Sequence, residues 1–450
     1  MTEEHIQEKI ERTEKESQKF IKDASIRIKF QLYGFFKNLQ FFEPFLLVIF
    51  LNWGLNLFQI GLLMTIQEVF TYVFEIPSGF LADVYGKKNE LRLCFIFYMV
   101  SFLLYFFGPA FYMVVLGATF YGLGEAFRSG THKAMEMEWL ERHNLQEYKS
   151  YLYGMTRSWS LYGSALNAIL AIILVFFIGD RGDRWIFLFA ILPFALDFLL
   201  ISTYPNYMNK KRDVGNNTIK EQFREEFDKL KIFLKGKTFQ QGVLSSTIND
   251  SIFKSIKDYI QPIMRIFISA LILDLALDTS KEDMWVKTFL GVIYAIFYLL
   301  SSFSSRKAFW VEQKVKSTRK TIDYLFDVFA LLLLLEAVFI WVGLPIFIVL
   351  LYMIIYIIYN LRRPIVVGYI GEMAPIKQRA TILSAETQLK SIFIFIFAPI
   401  FGYIADQFGI RWLFVIIAAF IFLINGFLKK MDVKAESEPE KEKFKAKQEQ

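Results

Sequence analysis

Long apolar blocks that are nearly free of charge recur along the chain, the clearest at residues 42–51, 99–107, 169–177, 329–335 and 346–359. A helix needs about 20 apolar residues to cross the hydrocarbon core of a bilayer. Read on that scale, the pattern predicts spans at 34–52, 57–78, 90–107, 110–131, 155–178, 185–203, 241–265, 286–304, 321–342, 345–366, 381–403 and 412–428. The arithmetic agrees: setting aside a polar start, a charged middle and a polar tail leaves roughly 360 residues, room for about 12 spans with their loops. The expected fold is an all-α membrane protein of 12 transmembrane helices. It divides into a cytoplasmic segment 1–33, a six-helix half 34–203, a linker 204–240, a second six-helix half 241–428 and a polar tail 429–450.

Composition strengthens that picture. Of 450 residues, 55% are hydrophobic and only 21% charged, with 50 phenylalanines, which excludes a soluble enzyme or a disordered chain as the default. The first 30 residues alternate glutamates (Glu3, Glu4, Glu8, Glu11, Glu14, Glu16) with lysines and hold no apolar core of the signal-peptide kind, so the start of the chain is expected to stay where it is made. The single cysteine, Cys94, excludes an intramolecular disulfide or a cysteine-built metal cluster. His5, His132 and His143 are too scattered for a zinc site. No metal or bound cofactor is expected, and no nucleophile converges with a base as an enzyme would require.

The net charge of +7 is informative through its location. Lys87, Lys88, Arg92, Arg142, Lys149, Lys210, Lys211, Arg212, Arg306, Lys307, Arg319, Lys320, Lys377 and Arg379 fall in loops on one side of the predicted spans, whereas the opposite loops carry little beyond Arg181, Arg184 and Arg411. The positive-inside rule then places both termini in the cytoplasm, and no nucleic-acid partner is needed to explain the basic excess. Within the linker, Ile219, Phe223, Phe227, Leu230 and Phe233 keep helical spacing beside charged neighbours, the pattern of an amphipathic helix on the inner membrane surface. The Gly236-Lys237-Thr238 triplet lacks the earlier glycine of a phosphate loop, Lys231 standing in its place. The Asn216-Asn217-Thr218 triplet faces the cytoplasm, where it is no glycosylation acceptor.

An internal repeat fits the two halves. Residues 182–187, Gly-Asp-Arg-Trp-Ile-Phe, enter the sixth span as residues 409–414, Gly-Ile-Arg-Trp-Leu-Phe, enter the twelfth. Both copies lie on the outer side, so the repeat is parallel.

Between the second and third spans stands Glu75-Ile76-Pro77-Ser78-Gly79-Phe80-Leu81-Ala82-Asp83-Val84-Tyr85-Gly86-Lys87-Lys88. It resembles the major facilitator superfamily pattern G-x-L-A-D-x-x-G-[RK]-[RK], preceded by the E-I-P-S-G lead-in common in bacterial members. The resemblance covers the twelve-span plan, residues 34–428, and implies a secondary transporter of a bacterial plasma membrane. It also implies that Gly79, Asp83, Gly86, Lys87 and Lys88 form a loop that steadies the outward-facing arrangement and eases the conformational switch. On the residues themselves, Gly79 and Gly86 permit close approach and a tight turn. Asp83 suits a helix N-terminus or a cation, and Lys87 and Lys88 suit the phosphate surface. Two departures narrow the resemblance: Ala118 stands where proton-coupled members often carry an arginine ahead of Gly122-Leu123-Gly124, and the fifth span lacks the proline of the drug-antiporter glycine pattern.

Ionisable groups inside spans are costly and therefore functional by default. Asp250, Lys254 and Asp258 recur every four residues in the seventh span, and Glu386 and Lys390 stand four apart in the eleventh. A structural ion pair, a substrate or proton-coupling role, and a misplaced span boundary all fit these stripes. Glu125, Arg128, His132 and Lys133 gather toward the cytoplasmic end of the fourth span, and Glu75 with Arg128 is the expected inner gate. Glu43, before Pro44 in an apolar run, is a second proton-carrier candidate, since apolar surroundings favour a protonated carboxyl; capping near the interface is the other reading. Arg362 and Arg363 suit an anionic substrate or positive-inside anchoring. Asp197, Asp323, Asp327 and Glu336 fall in spans six and nine, outer supports in the family, and are not assigned to a site.

The sequence thus points to a monomeric transporter in the lipid bilayer, working by alternating access on an ion gradient, with protons the first choice. Its cargo would be a small organic molecule or drug, with export favoured by the resemblance. The rival readings are a lipid flippase and a non-transporting, receptor-like protein on the same scaffold.

Overall fold

The computed structural model describes residues 16–17, 19–22, 24–179, 182–209, 224, 237–274, 278–314, 318–373 and 379–436. The predicted amphipathic segment 207–237, its two triplets and the tail beyond 436 fall wholly or almost wholly outside these residues. In chain order the helices are α1 Ser25–Lys37, α2 Leu46–Asn52, α3 Leu57–Tyr85, α4 Lys87–Phe107, α5 Phe111–Arg128, α6 Thr131–Arg142, α7 Lys149–Ile178 and α8 Trp185–Ser202. They continue with α9 Lys237–Ile256, α10 Ile260–Asp274, α11 Glu282–Lys314, α12 Thr318–Val342, α13 Pro345–Met373, α14 Arg379–Phe408 and α15 Ile410–Glu436. No strand occurs among the described residues.

Nine helices among the described residues are long and apolar enough to cross a membrane. The expected spans outside those nine are the first, fourth and seventh, and each has a physical reason. Glu125 and Arg128 dilute the apolar content of α5. The other two spans are broken. The Asn38 amide ends α1 by donating to the carbonyls of Gly34 at 2.7 Å and Ser160 at 2.9 Å. Beyond it, Phe41 sits at φ 45°, a left-handed conformation that costs energy in a non-glycine residue. The Phe41 N–H is held by Asn167 Oδ1 at 2.7 Å. A single 3-10 turn, Glu43–Phe45, then leads into α2, and Pro44 has no N–H to carry a helix through it. In the expected seventh span, α9 stops at Ile256 and α10 restarts at Ile260. Pro262 lies in the first turn of α10, where its missing N–H is harmless.

The chain forms two compact units, Met1–Pro44 with Phe70–Ile219 and Phe45–Val69 with Lys220–Gln450. In the first, α4 packs along α5 and α8, and α1 along α7 and α8. Phe95, Tyr98, Phe102 and Phe194 fill that core, with the Phe102 and Phe194 rings edge to face at 4.8 Å, a geometry that aromatic quadrupoles favour. In the second, α9 packs along α14 and α13, α11 along α13, and α12 along α15 and α13. Its outward faces are as apolar as its core: Trp341 is 73% exposed, Ile346 73% and Leu423 75%. In water such faces would drive aggregation; against lipid they are at rest.

The stretch expected as a loop between spans two and three is almost entirely helical. α3 continues through Pro77 to Tyr85 and α4 opens at Lys87, leaving Gly86 at φ 95° as the whole connection. Ser78 helps the helix past its proline, its hydroxyl donating to the carbonyls of Glu75 at 2.8 Å and Ala126 at 3.0 Å.

Candidate functional site

Six charged side chains meet in the second unit. Asp250 and Lys254 come from α9, Arg363 from α13, Glu386 and Lys390 from α14, and Glu68 from the early part of α3. Arg363 Nη1 donates to Asp250 Oδ2 at 2.8 Å and to Glu386 Oε1, while Nη2 donates to Glu386 Oε2 at 3.3 Å. Lys390 Nζ lies 3.5 Å from Asp250 Oδ2, and Ser246 donates to Glu386 Oε1 at 3.0 Å. Lys254 pairs with Glu68, whose other oxygen accepts from Ser391 at 2.8 Å. Three carboxylates and three cations balance, which is what allows charge to persist inside apolar helices at all.

The sequence located five of these six, all but Glu68, but paired them differently. Glu386 and Lys390 turn to separate partners, Arg363 and Asp250, instead of neutralising one another along α14. Asp258 leaves the Asp250–Lys254 face because α9 ends before it. It sits in the break, where its carboxylate pairs with Lys257 and accepts from Tyr294 Oη at 2.7 Å. Tyr294 in turn accepts from Gln261 Nε2 at 3.0 Å. Gln261 Oε1 takes the first N–H groups of α2, Leu47 at 2.9 Å and Val48 at 3.3 Å. The two breaks are therefore stitched by one glutamine: it satisfies helix-end donors that would otherwise be orphaned. Tyr294→Phe, which unlinks Asp258 from Gln261 in a buried setting, is expected to cost about 1–3 kcal/mol, read as a lower midpoint in thermal unfolding of the purified protein.

In the first unit, Arg128 turns along its own helix to Glu125, and its Nε donates to Tyr98 Oη at 3.1 Å, while Tyr98 donates to Glu125 Oε1 at 2.5 Å. The expected Glu75–Arg128 gate gives way to this triad, and Glu75 accepts instead from Ser129 Oγ at 2.9 Å. Glu43 lies in the 3-10 turn of the first break. Lys87 and Lys88 both find partners within the protein. Lys87 pairs with Glu138 of α6 at 2.7 Å, and Lys88, 5% exposed, donates to the Tyr204 carbonyl at 2.7 Å. Gly79 and Asp83 lie on the last turns of α3, ahead of Gly86.

Sequence reasoning passed over Glu68 and Asp406. Glu68 carried the same signal as its partners, a charge in mid-span. Asp406 carried a different one: residues 402–409, Gly-Tyr-Ile-Ala-Asp-Gln-Phe-Gly, repeat the G-x-x-A-D-x-x-G of residues 79–86. The two copies end their helices alike. Gly86 N–H donates to Ala82 O at 2.9 Å with φ 95°, and Gly409 N–H donates to Ala405 O at 3.0 Å with φ 85°. Asp406 caps α3, accepting from the N–H groups of Leu57 at 3.0 Å and Phe58 at 2.7 Å, where a carboxylate also complements the helix dipole. Beside this cap the two helices touch at bare backbone: a Cβ on Gly61 would strike the Ala398 carbonyl, and one on Gly402 the Leu57 carbonyl.

Helices of bilayer length, two broken spans and a buried, compensated charge cluster together describe a membrane-embedded helical protein built around a polar interior. The chain belongs to the Major Facilitator Superfamily, whose family model matches residues 35–322. It is similar to the uncharacterised MFS-type transporter YxaM of Bacillus subtilis strain 168, 24% identical over 395 residues that cover 85% of this chain and 89% of that one. Its fold is similar to that of the nucleoside transporter NupG, with a TM-score of 0.70 at 11% identity over 91% of this chain and 99% of that one. A D-xylose–proton symporter shares the fold with a TM-score of 0.62 at 13% identity, over 88% and 96% of the two chains. The protein is thus an integral membrane protein and a secondary transporter, in a family that is not a class of enzymes.

Proposed function

We propose that the chain is a proton-coupled transporter that moves a small organic solute across a bacterial plasma membrane by alternating access, with both termini cytoplasmic. The observation that carries this reading is the Asp250–Arg363–Glu386 ion pairing, in which two carboxylates 2% and 1% exposed share one guanidinium. A proton arriving on either carboxylate releases its hold on Arg363, so occupancy of the site and its internal pairing are coupled. The energy source is an ion gradient with no bound cofactor, and the working form is a monomer.

Twelve spans in two parallel halves is the proposed plan. Its support is a recurring set of neighbours: α1 with α7, α4 with α8 and α4 with α5 in the first unit, then α9 with α14, α12 with α15 and α12 with α13 in the second. The two broken helices, α1–α2 and α9–α10, hold corresponding places in that repeat. Discontinuous helices in matching positions of two halves mark the binding region of such transporters.

The test is internal pH in proteoliposomes under an imposed proton gradient, with sugars, amino acids, organic acids and lipophilic cations added one at a time. Solute-triggered proton flux is expected, with at least a tenfold loss in Glu386→Gln and in Asp258→Asn while the folded fraction stays unchanged. Export, carried over from the family resemblance, is read from the sign of the solute gradient that drives the flux. Absence of flux with every compound in folded protein overturns the coupling.

A further inference from the structure

Arg363 leaves one edge of its guanidinium open. That group holds five N–H donors in a fixed plane, two on each terminal nitrogen and one on Nε. Nη1 gives both of its donors to Asp250 and Glu386, and Nη2 gives one to Glu386. The Nε–H and the second Nη2–H remain, parallel to each other along the far edge, and no hydrogen bond among the described residues uses them. This is the fork whose spacing matches the two oxygens of a carboxylate or phosphate.

Exposure in the cluster is divided by sign. The cations are the open groups, Lys254 at 42%, Arg363 at 33% and Lys390 at 21%, whereas Glu68 at 12%, Asp250 at 2% and Glu386 at 1% lie behind them. A solute reaching this face meets N–H donors, and the carboxylates behind them are already bonded. We infer that the face is a subsite for an organic anion, held through a carboxylate or phosphate group by the Nε/Nη2 edge of Arg363, with Lys254 and Lys390 alongside. The inference rests on the cluster being the transport site and adds the charge of the cargo.

The test uses a thiol at the rim, Ser391→Cys, in a Cys94→Ser background, with the protein in phosphatidylcholine nanodiscs. Its rates with the anionic sulfonatoethyl and the cationic trimethylammonioethyl methanethiosulfonates are each divided by that reagent's rate with free 2-mercaptoethanol. The positive face is expected to favour the anionic reagent about tenfold, a bias that falls in Lys254→Gln. Arg363→Lys keeps the charge and loses the fork, so it is expected to keep the bias and to lose protection by benzoate or phenyl phosphate. Protection by those soluble anions assigns the site to a dissolved solute; protection only when phosphatidylglycerol is added to the disc assigns it to a lipid headgroup. Equal normalised rates, preference for the cationic reagent, or no reaction with either overturns the inference. An anionic bias without proton flux in proteoliposomes would defeat the proton-coupled reading and leave this one standing. Flux triggered only by neutral or cationic solutes would do the reverse.

Discussion

Replacing Arg363 with glutamine is expected to destabilise the protein by about 3–5 kcal/mol, the range for breaking a buried ion pair from one side. The magnitude follows from what stays behind. Asp250 and Glu386 are 2% and 1% exposed, so both carboxylates stay behind in a nearly closed setting without the guanidinium that they share. Lys390, 3.5 Å from Asp250, compensates one of them; among the described residues Glu386 keeps the Ser246 hydroxyl alone. The asymmetry yields a second expectation. Adding Glu386→Gln to Arg363→Gln removes the stranded charge and is expected to recover most of the loss, whereas adding Asp250→Asn recovers less. Thermal unfolding of the two single and two double variants in one detergent measures both. Equal midpoints for Arg363→Gln and the unchanged protein would mean that the pairing carries no stability.

The positions of these charges were legible in the sequence, because a charge in an apolar run is conspicuous; their partners were not. A helical repeat of four put Asp250, Lys254 and Asp258 on one face, and the chain broke that face between Lys254 and Asp258. The local cue was Pro262, three residues past the break, since proline cannot extend a helix from the turn before it. Pro44 gave the same cue in the first span. What fixes each break is tertiary and was beyond reach: Gln261 reaches Leu47, 214 positions away, and Asn167 holds the backbone of Phe41 from a distance of 126 positions. The partition of the chain into spans was legible wherever the helix meets lipid, as in α8, α12 and α15, because there the only requirement is to be apolar. It blurred at the first, fourth and seventh spans, where polar groups serve the interior. The partners of Lys87 and Lys88 were hidden for a related reason: nothing local to a basic pair after a span announces Glu138 or the Tyr204 carbonyl.

Gly402→Leu is expected to cut transport at least tenfold while leaving the protein inserted and folded, because it strikes a contact that has no slack. The added side chain would drive into the Leu57 carbonyl, and the facing position, Gly61, is sealed in the same way by the Ala398 carbonyl. Backbone cannot rotate aside as a side chain can, so the helices must separate by the width of a side chain. Separation also strips the Asp406 cap from the N–H groups of Leu57 and Phe58 and the Thr65 hydroxyl from the Phe395 carbonyl, 3.0 Å away. Asp406→Ala removes the cap alone and is expected to cost about 0.5–2 kcal/mol, a far milder effect on rate. The proposed topology places this end of α3 outside, and the expectation is that the contact closes and opens once in each transport cycle. A thiol introduced by Thr65→Cys in the Cys94→Ser background reports its state. Membrane-impermeant maleimide added from outside is expected to label that thiol about tenfold faster in Gly402→Leu, with Gly402→Ala between the two extremes, the rate tracking how far the backbones are held apart. If Gly402→Leu transported at the normal rate with the introduced thiol still protected, the crossing of α3 and α14 would be a fixed packing contact and the moving part would lie elsewhere in the bundle.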